Sequence, residues 1–277
     1  LNGVVKVTAG GVDMVNYKDL KDKGAIWESH ILPRNFKLDE KKGLFEIFSE
    51  KSLSRKSHQK NDDDWTKNYD LEEDEYTAFR TAYGYLLHSY NIPDLAKGII
   101  FIDCDSDLGK PEGGNGKSLT MKSIKHFKNT EEMSGKKVCQ DKNGGGRFQF
   151  ETVTYDTKFI FMNDIDQDFK FERLFNDITD DMQIEGKRTS KFRIPFETKP
   201  KIGITTNYVP VGTGNSVERR QHVVEFGNYW NHCGQKHKEQ PSDEKHLGKS
   251  LFDKTFSNED WNQFYTYGIR CLQEHLQ

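Results

Sequence analysis

A glycine-rich segment between two predicted elements constrains the fold of this 277-residue chain most strongly. It reads Pro111-Glu112-Gly113-Gly114-Asn115-Gly116-Lys117-Ser118 and lies between an apolar run and a helical pattern that begins near Leu119. Glycines let backbone N–H groups turn around phosphate oxygens, lysine adds positive charge, and a serine hydroxyl can reach Mg²⁺. We therefore predict a phosphate-binding P-loop over residues 112–119, although Pro111 stands where the motif usually begins with glycine. The alternative is a glycine-rich surface turn.

Three short apolar runs follow one another along the chain, at 99–102, 159–162 and 202–204. Such runs are typical of strands that are buried on both faces of a sheet. A helical pattern lies between the first two, at Leu119, Met121, Ile124 and Phe127. This alternation predicts an α/β domain with a central, mostly parallel sheet.

Helices are predicted on both sides of this domain. The first has an apolar stripe at Phe79, Tyr83, Leu86, Leu87 and Tyr90, with acidic residues at its start and Pro93 as its end. The second begins after Ser257, a favourable N-cap residue. Its stripe consists of Trp261, Tyr265, Ile269, Leu272 and Leu276.

The second apolar run ends in Asn163-Asp164-Ile165-Asp166, which we interpret as a Walker B segment. A P-loop needs a carboxylate on a neighbouring strand to hold the metal's water shell and to polarise the attacking water. We assign that role to Asp164. An amide at Asn163, where an acid is common, weakens the metal site unless Asp166 compensates. The alternative is a strand that ends in a polar turn.

Two further polar positions follow the third apolar run. Asn207, at the tip of that strand, can donate and accept hydrogen bonds, so it can orient water against a phosphate as a sensor residue. This requires its strand to lie between the other two. Arg219 and Arg220 come later and are candidates for an arginine finger acting on a neighbouring subunit. The alternative for the pair is a solvated basic surface.

The order of these motifs resembles superfamily 3 helicases, in the poxvirus-type branch of phage, plasmid and mobile-element primase-helicases. Gly-Gly-Asn-Gly-Lys-Ser, Thr-Thr-Asn and Arg-Arg carry the resemblance, which covers about residues 75–277. It implies an AAA+-like P-loop NTPase, ATP with Mg²⁺, a hexameric ring, 3′ to 5′ translocation on single-stranded DNA, and a primase domain upstream. We accordingly expect a mainly helical region over 1–95, which could form an oligomerisation collar, an ATPase core over 96–227, and a helical extension over 228–277.

The same family places a β-hairpin before the sensor strand, and residues 183–194 fit two short strands around a polar tip. The resemblance makes Lys187, Arg188 and Lys191 candidates for contact with DNA phosphates. A basic exposed turn is the alternative.

Composition limits the remaining choices. The net charge of −3 argues against a surface coated in positive charge for nucleic acid, but it allows a ring with a narrow basic channel. We expect a cytoplasmic protein of a bacterial or phage-infected cell, because no apolar run approaches the ~20 residues of a membrane span and the four cysteines are scattered. Two other hypotheses stay open: another P-loop enzyme such as a small-molecule kinase, or a non-catalytic oligomerisation module.

Overall fold

The computed structural model describes residues 3–20, 26–57, 59–104, 113–140, 149–186, 190–209, 214–230 and 247–277. The chain forms two compact units. Unit 1 consists of Leu1–His88, Gly114–Gly116 and Gly227–Gln277, and unit 2 of Ser89–Gly113 and Lys117–Phe226. The domain boundaries expected from the sequence stay predictions.

Unit 1 contains helices and two small antiparallel sheets. The sheets pair β1 (Val4–Thr8) with β2 (Gly11–Val15) and β3 (Arg55–Lys56) with β4 (Tyr69–Asp70). The helices, numbered in chain order, are α1 (Leu44–Leu53), α2 (Glu73–Leu87) and α7 (Asn258–Leu276).

Helices α2 and α7 approach each other closely enough to exclude a side chain. A Cβ atom built on Gly84 of α2 would lie 2.0 Å from the backbone oxygen of Cys271 in α7. Aromatic rings fill the surrounding core; for example, the centroids of Phe45 and Phe264 are 5.0 Å apart in an edge-on arrangement. Glycine at this position therefore determines how α2 and α7 pack.

The predicted helix that begins after Ser257 is confirmed as α7. Ser257 Oγ accepts a hydrogen bond from the Asp260 backbone N–H at 3.2 Å, and the Asp260 carboxylate accepts one from the Ser257 N–H at 2.7 Å. This reciprocal capping box satisfies two donors at the helix start.

The predicted end of α2 is wrong. The helix stops at Leu87, and Tyr90 lies outside it with 52% of its surface exposed. Beyond the helix, the Asn91 side chain donates to the backbone oxygens of Phe196 and Lys199 at 3.1 and 2.9 Å. The backbone already leaves the helical conformation at His88, where ψ is 128°, and the Asn91 hydrogen bonds hold the following segment against residues 196–199.

Unit 2 is built around a five-stranded, all-parallel sheet, which confirms the predicted α/β fold. Its strand order is β11–β5–β10–β7–β6. The strands are β5 (Gly98–Asp103), β6 (Thr130–Ser134), β7 (Phe159–Ile165), β10 (Lys201–Thr206) and β11 (Gln221–Phe226). The three predicted strands are β5, β7 and β10, and β10 lies between the other two, as the sensor assignment requires.

Four helices of unit 2 are described, together with a two-stranded hairpin. The helices are α3 (Lys117–Ser123), α4 (Gly135–Gln140), α5 (Phe175–Thr179) and α6 (Asn215–Arg220). The hairpin pairs β8 (Met182–Ile184) with β9 (Phe192–Ile194), which confirms the two predicted short strands. No helix within the described ranges is long and apolar enough to cross a membrane.

Candidate functional site

The candidate site lies at the carboxyl edge of the parallel sheet in unit 2. Parallel strands end at the same edge, so Asp103 of β5, Asn163 of β7 and Asn207 after β10 are brought together. Helix α3 begins here with Lys117 and Ser118. Ligands of open α/β sheets bind in this position, beyond the carboxyl ends of the strands.

Lys117 is held by two side chains. Only 6% of it is exposed, and its Nζ atom donates to the Asp103 carboxylate and to Asn207 Oδ1, the latter at 3.0 Å. Burial lowers the pKa of Lys117, and the charge of Asp103 opposes that shift. Asp103 is a residue that sequence reasoning missed; the available signal was an acid at the end of an otherwise apolar strand.

The glycines of the predicted P-loop have the backbone conformation that the motif requires. Gly113, Gly114 and Gly116 have φ values of 62°, 78° and 95°, which L residues rarely adopt. Asn115 is buried and Leu119 is half-buried at the start of α3, whereas Glu112 lies outside the described residues. Three of the four residues before Lys117 therefore have backbone conformations that favour glycine.

A β-bulge shapes the Walker B segment. Ile204 of β10 pairs with Met162, and Thr206 pairs with Ile165, so β7 contains one residue more than its partner at Asn163–Asp164. Asp164 adopts φ 60° in this bulge. Bulges re-aim side chains and are common next to functional sites, and this one separates the directions of the two polar residues.

Asn163 directly contacts Ser118, the serine of the predicted P-loop. Its Oδ1 atom accepts hydrogen bonds from Ser118 Oγ at 2.8 Å and from Thr205 Oγ1 at 3.1 Å. Thr205 Oγ1 in turn accepts the backbone N–H of Asp164 at 3.1 Å. Thr205 thus ties both residues of the bulge to the central strand, a contact that the sequence did not reveal.

Asp164 points outward to solvent beside the start of α4. Its side chain is 53% exposed and lies 3.5 Å from Lys136 Nζ. A Cβ atom on Gly135 would lie 2.6 Å from the Asp164 backbone, so glycine at this position leaves room for the bulge. Asp166 follows as an exposed residue in the turn after β7.

Two oxygens at this edge of the sheet suit Mg²⁺, and a carboxylate lies on the adjoining bulge. Ser118 Oγ and Asn163 Oδ1 are 2.8 Å apart, whereas the Asp164 carboxylate is directed to solvent. All three are hard donors, and proteins commonly bind Mg²⁺ through one or two carboxylates together with substrate phosphates. The residues present therefore fit a magnesium–nucleotide complex.

The two arginines of α6 differ in their surroundings. Arg219 is exposed, and its Nε donates to the Asn215 carbonyl of its own helix at 3.3 Å. Arg220 is half-buried, with its guanidinium 4.7 Å from the centre of the Phe175 ring. Arg220 is thus engaged within its own unit, whereas Arg219 is open to solvent.

The hairpin carries basic residues that are paired with acids. Lys187 and Arg188 lie outside the described residues. Lys191 is exposed and lies 2.9 Å from Glu185. Arg193, which sequence reasoning did not single out, is exposed and lies 2.5 Å from Asp181. Part of the positive charge of this hairpin is therefore compensated locally.

Comparison with known proteins gives no match to a family profile and none to a curated protein. Among solved structures, the chain is similar to an apo form of the NrS-1 C-terminal region, with 13% identity, 91% of this chain and 48% of that one covered, and a TM-score of 0.48. A second structure of that region, which spans its residues 305–718, is 14% identical to this chain. The match covers 74% of this chain and 41% of that one, with a TM-score of 0.38.

A crystal structure of JCV helicase with a bound substituted acetamide is 14% identical to this chain, with 73% of this chain and 55% of that one covered and a TM-score of 0.33. The chain thus spans about half the length of the structures that it matches. At this level of identity and TM-score, the similarities carry no functional assignment.

Proposed function

We propose that this chain is an ATP-hydrolysing motor domain that acts on single-stranded DNA, of the superfamily 3 helicase type. The observation that carries the proposal is the meeting of Lys117, Ser118, Asn163 and Asn207 at one edge of a parallel sheet, with Asp164 on the adjoining bulge. A phosphate-binding lysine, a metal-facing hydroxyl, an acid and a sensor amide are the groups that P-loop hydrolysis uses.

Each group has a distinct task in this proposal. Lys117 would exchange Asp103 for the β- and γ-phosphates of a bound ATP, and Ser118 and Asn163 would hold Mg²⁺. The metal's role is to neutralise charge on the phosphates. Asp164, on the bulge next to Asn163, takes the proton of the attacking water. Asn207 orients that water against the γ-phosphate.

The proposed assembly is a hexameric ring in which an arginine reaches the nucleotide of the adjacent subunit. Exposure favours Arg219 over Arg220, because Arg220 would have to leave the Phe175 ring. Mixing Lys117→Ala subunits with Arg219→Ala subunits, each inactive alone, should restore part of the ATPase activity. If recovery occurs with Arg220→Ala subunits instead, Arg220 is the finger, and recovery with neither refutes a finger in this pair.

The DNA contacts in the proposal are Lys187, Arg188 and Lys191, which lie in the sequence between β8 and β9. Replacing all three with alanine should weaken binding of a fluorescent single-stranded oligonucleotide. The slope of the logarithm of the binding constant against the logarithm of the salt concentration should become less steep by about 0.7 for each lost phosphate contact. Lys254→Ala, an exposed lysine of unit 1, is the control. Unchanged DNA affinity in the triple variant would place the DNA path elsewhere.

The decisive experiment measures ATP turnover with and without single-stranded DNA. A motor hydrolyses ATP and is stimulated by the DNA. Turnover that is stimulated by a small-molecule phosphate acceptor, and not by DNA, would favour a kinase. A chain that self-associates but does not hydrolyse ATP would favour an oligomerisation module. A cytoplasmic setting in a bacterial or phage-infected cell and a primase domain upstream belong to the same proposal, and the family resemblance alone supports them.

A further inference from the structure

Asn163 occupies the Walker B position at which a carboxylate would contribute negative charge, and its amide has two unlike ends. Only the oxygen end can accept the Ser118 hydroxyl hydrogen bond or face a cation, because the NH₂ end donates. A function that depends on Asn163 therefore needs something to fix which end faces Ser118.

Glu132 of β6 meets the other end of this amide. Asn163 Nδ2 donates to Glu132 Oε1 at 3.3 Å, while Oδ1 faces Ser118 and Thr205. Ser134 pairs with Asn163 in the parallel register, so Glu132, two residues earlier, is a diagonal neighbour on the adjacent strand. The two side chains meet because β6 is hydrogen-bonded to β7.

Glu132 is itself held by a lysine, which contacts the same carboxylate oxygen as Asn163. Lys122 Nζ, on α3, lies 3.0 Å from Glu132 Oε1. A continuous chain of polar contacts thus runs from Lys122 through Glu132 and Asn163 to Ser118, and it begins and ends on the helix that follows the P-loop. Residues that orient a ligand from behind often matter to a metal site almost as much as the ligand.

We propose that Glu132 is a positioning residue that turns the carbonyl oxygen of Asn163 toward Ser118 and the metal, and so lets an amide replace the first Walker B carboxylate. This inference rests on the proposed function. It also explains how a site with Asn163 stays competent without help from Asp166.

The first test titrates Mg²⁺ against binding of a fluorescent ATP analogue, with thermal unfolding to verify the fold. Glu132→Ala should raise the Mg²⁺ concentration for half-maximal binding about 10-fold. Glu132→Gln, which retains an acceptor oxygen, should recover part of that loss. The matched control is Glu131→Ala, one residue earlier and on the other face of β6, which should shift the midpoint less than about 2-fold. Equal shifts for Glu131→Ala and Glu132→Ala would overturn the proposal.

The second test replaces the Asn163 amide with a carboxylate and asks whether a second substitution, at Glu132, restores binding. Asn163→Asp places a carboxylate against Glu132, and two adjacent carboxylates disfavour ionisation of both. This variant should therefore bind Mg²⁺ and nucleotide poorly. Adding Glu132→Gln supplies an NH₂ donor to Asp at position 163 and should lower the Mg²⁺ midpoint by about 10-fold.

If Asn163→Asp binds equally well with either residue at 132, Glu132 does not position the amide and the inference fails alone. If the wild-type chain binds no nucleotide at any Mg²⁺ concentration, the proposed function fails and this inference with it.

Discussion

Lys117→Ala should do more than remove a phosphate contact, because Lys117 and Asp103 form a buried ion pair. Their side chains are 6% and 4% exposed. Truncation of the lysine leaves the Asp103 carboxylate in a poorly solvated position without its main counter-charge. Removing one partner of a buried pair costs about 3–5 kcal/mol. For a protein of this size, that loss corresponds to a decrease in melting temperature of about 6–20 °C.

The double variant Lys117→Ala/Asp103→Asn separates stability from catalysis. An amide at position 103 no longer carries an uncompensated charge, so thermal unfolding should recover at least half of the lost melting temperature. ATP turnover should stay at least about 100-fold below that of the wild type in both variants, because the charge facing the phosphates is absent. Turnover and circular dichroism melting are measured on the same preparations.

Two results would refute this reasoning. A melting temperature of Lys117→Ala within about 2 °C of the wild type would show that the pair is not a buried, stabilising contact. Near-normal turnover in the folded variant would remove the P-loop assignment itself.

Three other predictions test the remaining features. Asp164→Asn should retain binding of an ATP analogue and lose hydrolysis by about 100-fold or more, and equal loss of binding would contradict a role as the base. Gly84→Ala should destabilise the chain by about 3 kcal/mol in urea unfolding, since its Cβ would lie 2.0 Å from the Cys271 backbone oxygen; unchanged stability would show that the helices can separate. Burial lowers the pKa of Lys201 from 10.5 to about 6. Between these two pH values the unfolded state binds more protons than the folded state, so the stability of the wild type rises with pH in this range. Lys201→Met should therefore be stabilising near pH 6.5 in urea unfolding, with a gain that shrinks toward pH 8.5; a gain independent of pH would contradict the lowered pKa.

Local features of the sequence were enough to predict several elements correctly. The apolar runs identified β5, β7 and β10, because strands covered on both faces must be apolar at nearly every position. Ser257 and the stripe behind it predicted α7, since capping and helical periodicity depend on residues a few positions apart. The end of α2 could not be predicted in this way, because the apolar spacing continues to Tyr90, whereas the chain beyond Leu87 makes contacts that are not local, such as those of Asn91 with residues more than 100 positions away.

In the candidate site, too, some features follow from local sequence and others from the tertiary structure. The sequence by itself determined which polar side chains follow each strand and predicted the P-loop residues, because both depend on local order along the chain. Only the tertiary structure decided that Asp103 pairs with Lys117, that a bulge turns Asn163 toward Ser118, and that Glu132 lies behind the Asn163 amide. The physical reason is that these contacts join different strands of one sheet. Strand order and register determine which side chains meet, and neither can be predicted from a short segment of the sequence.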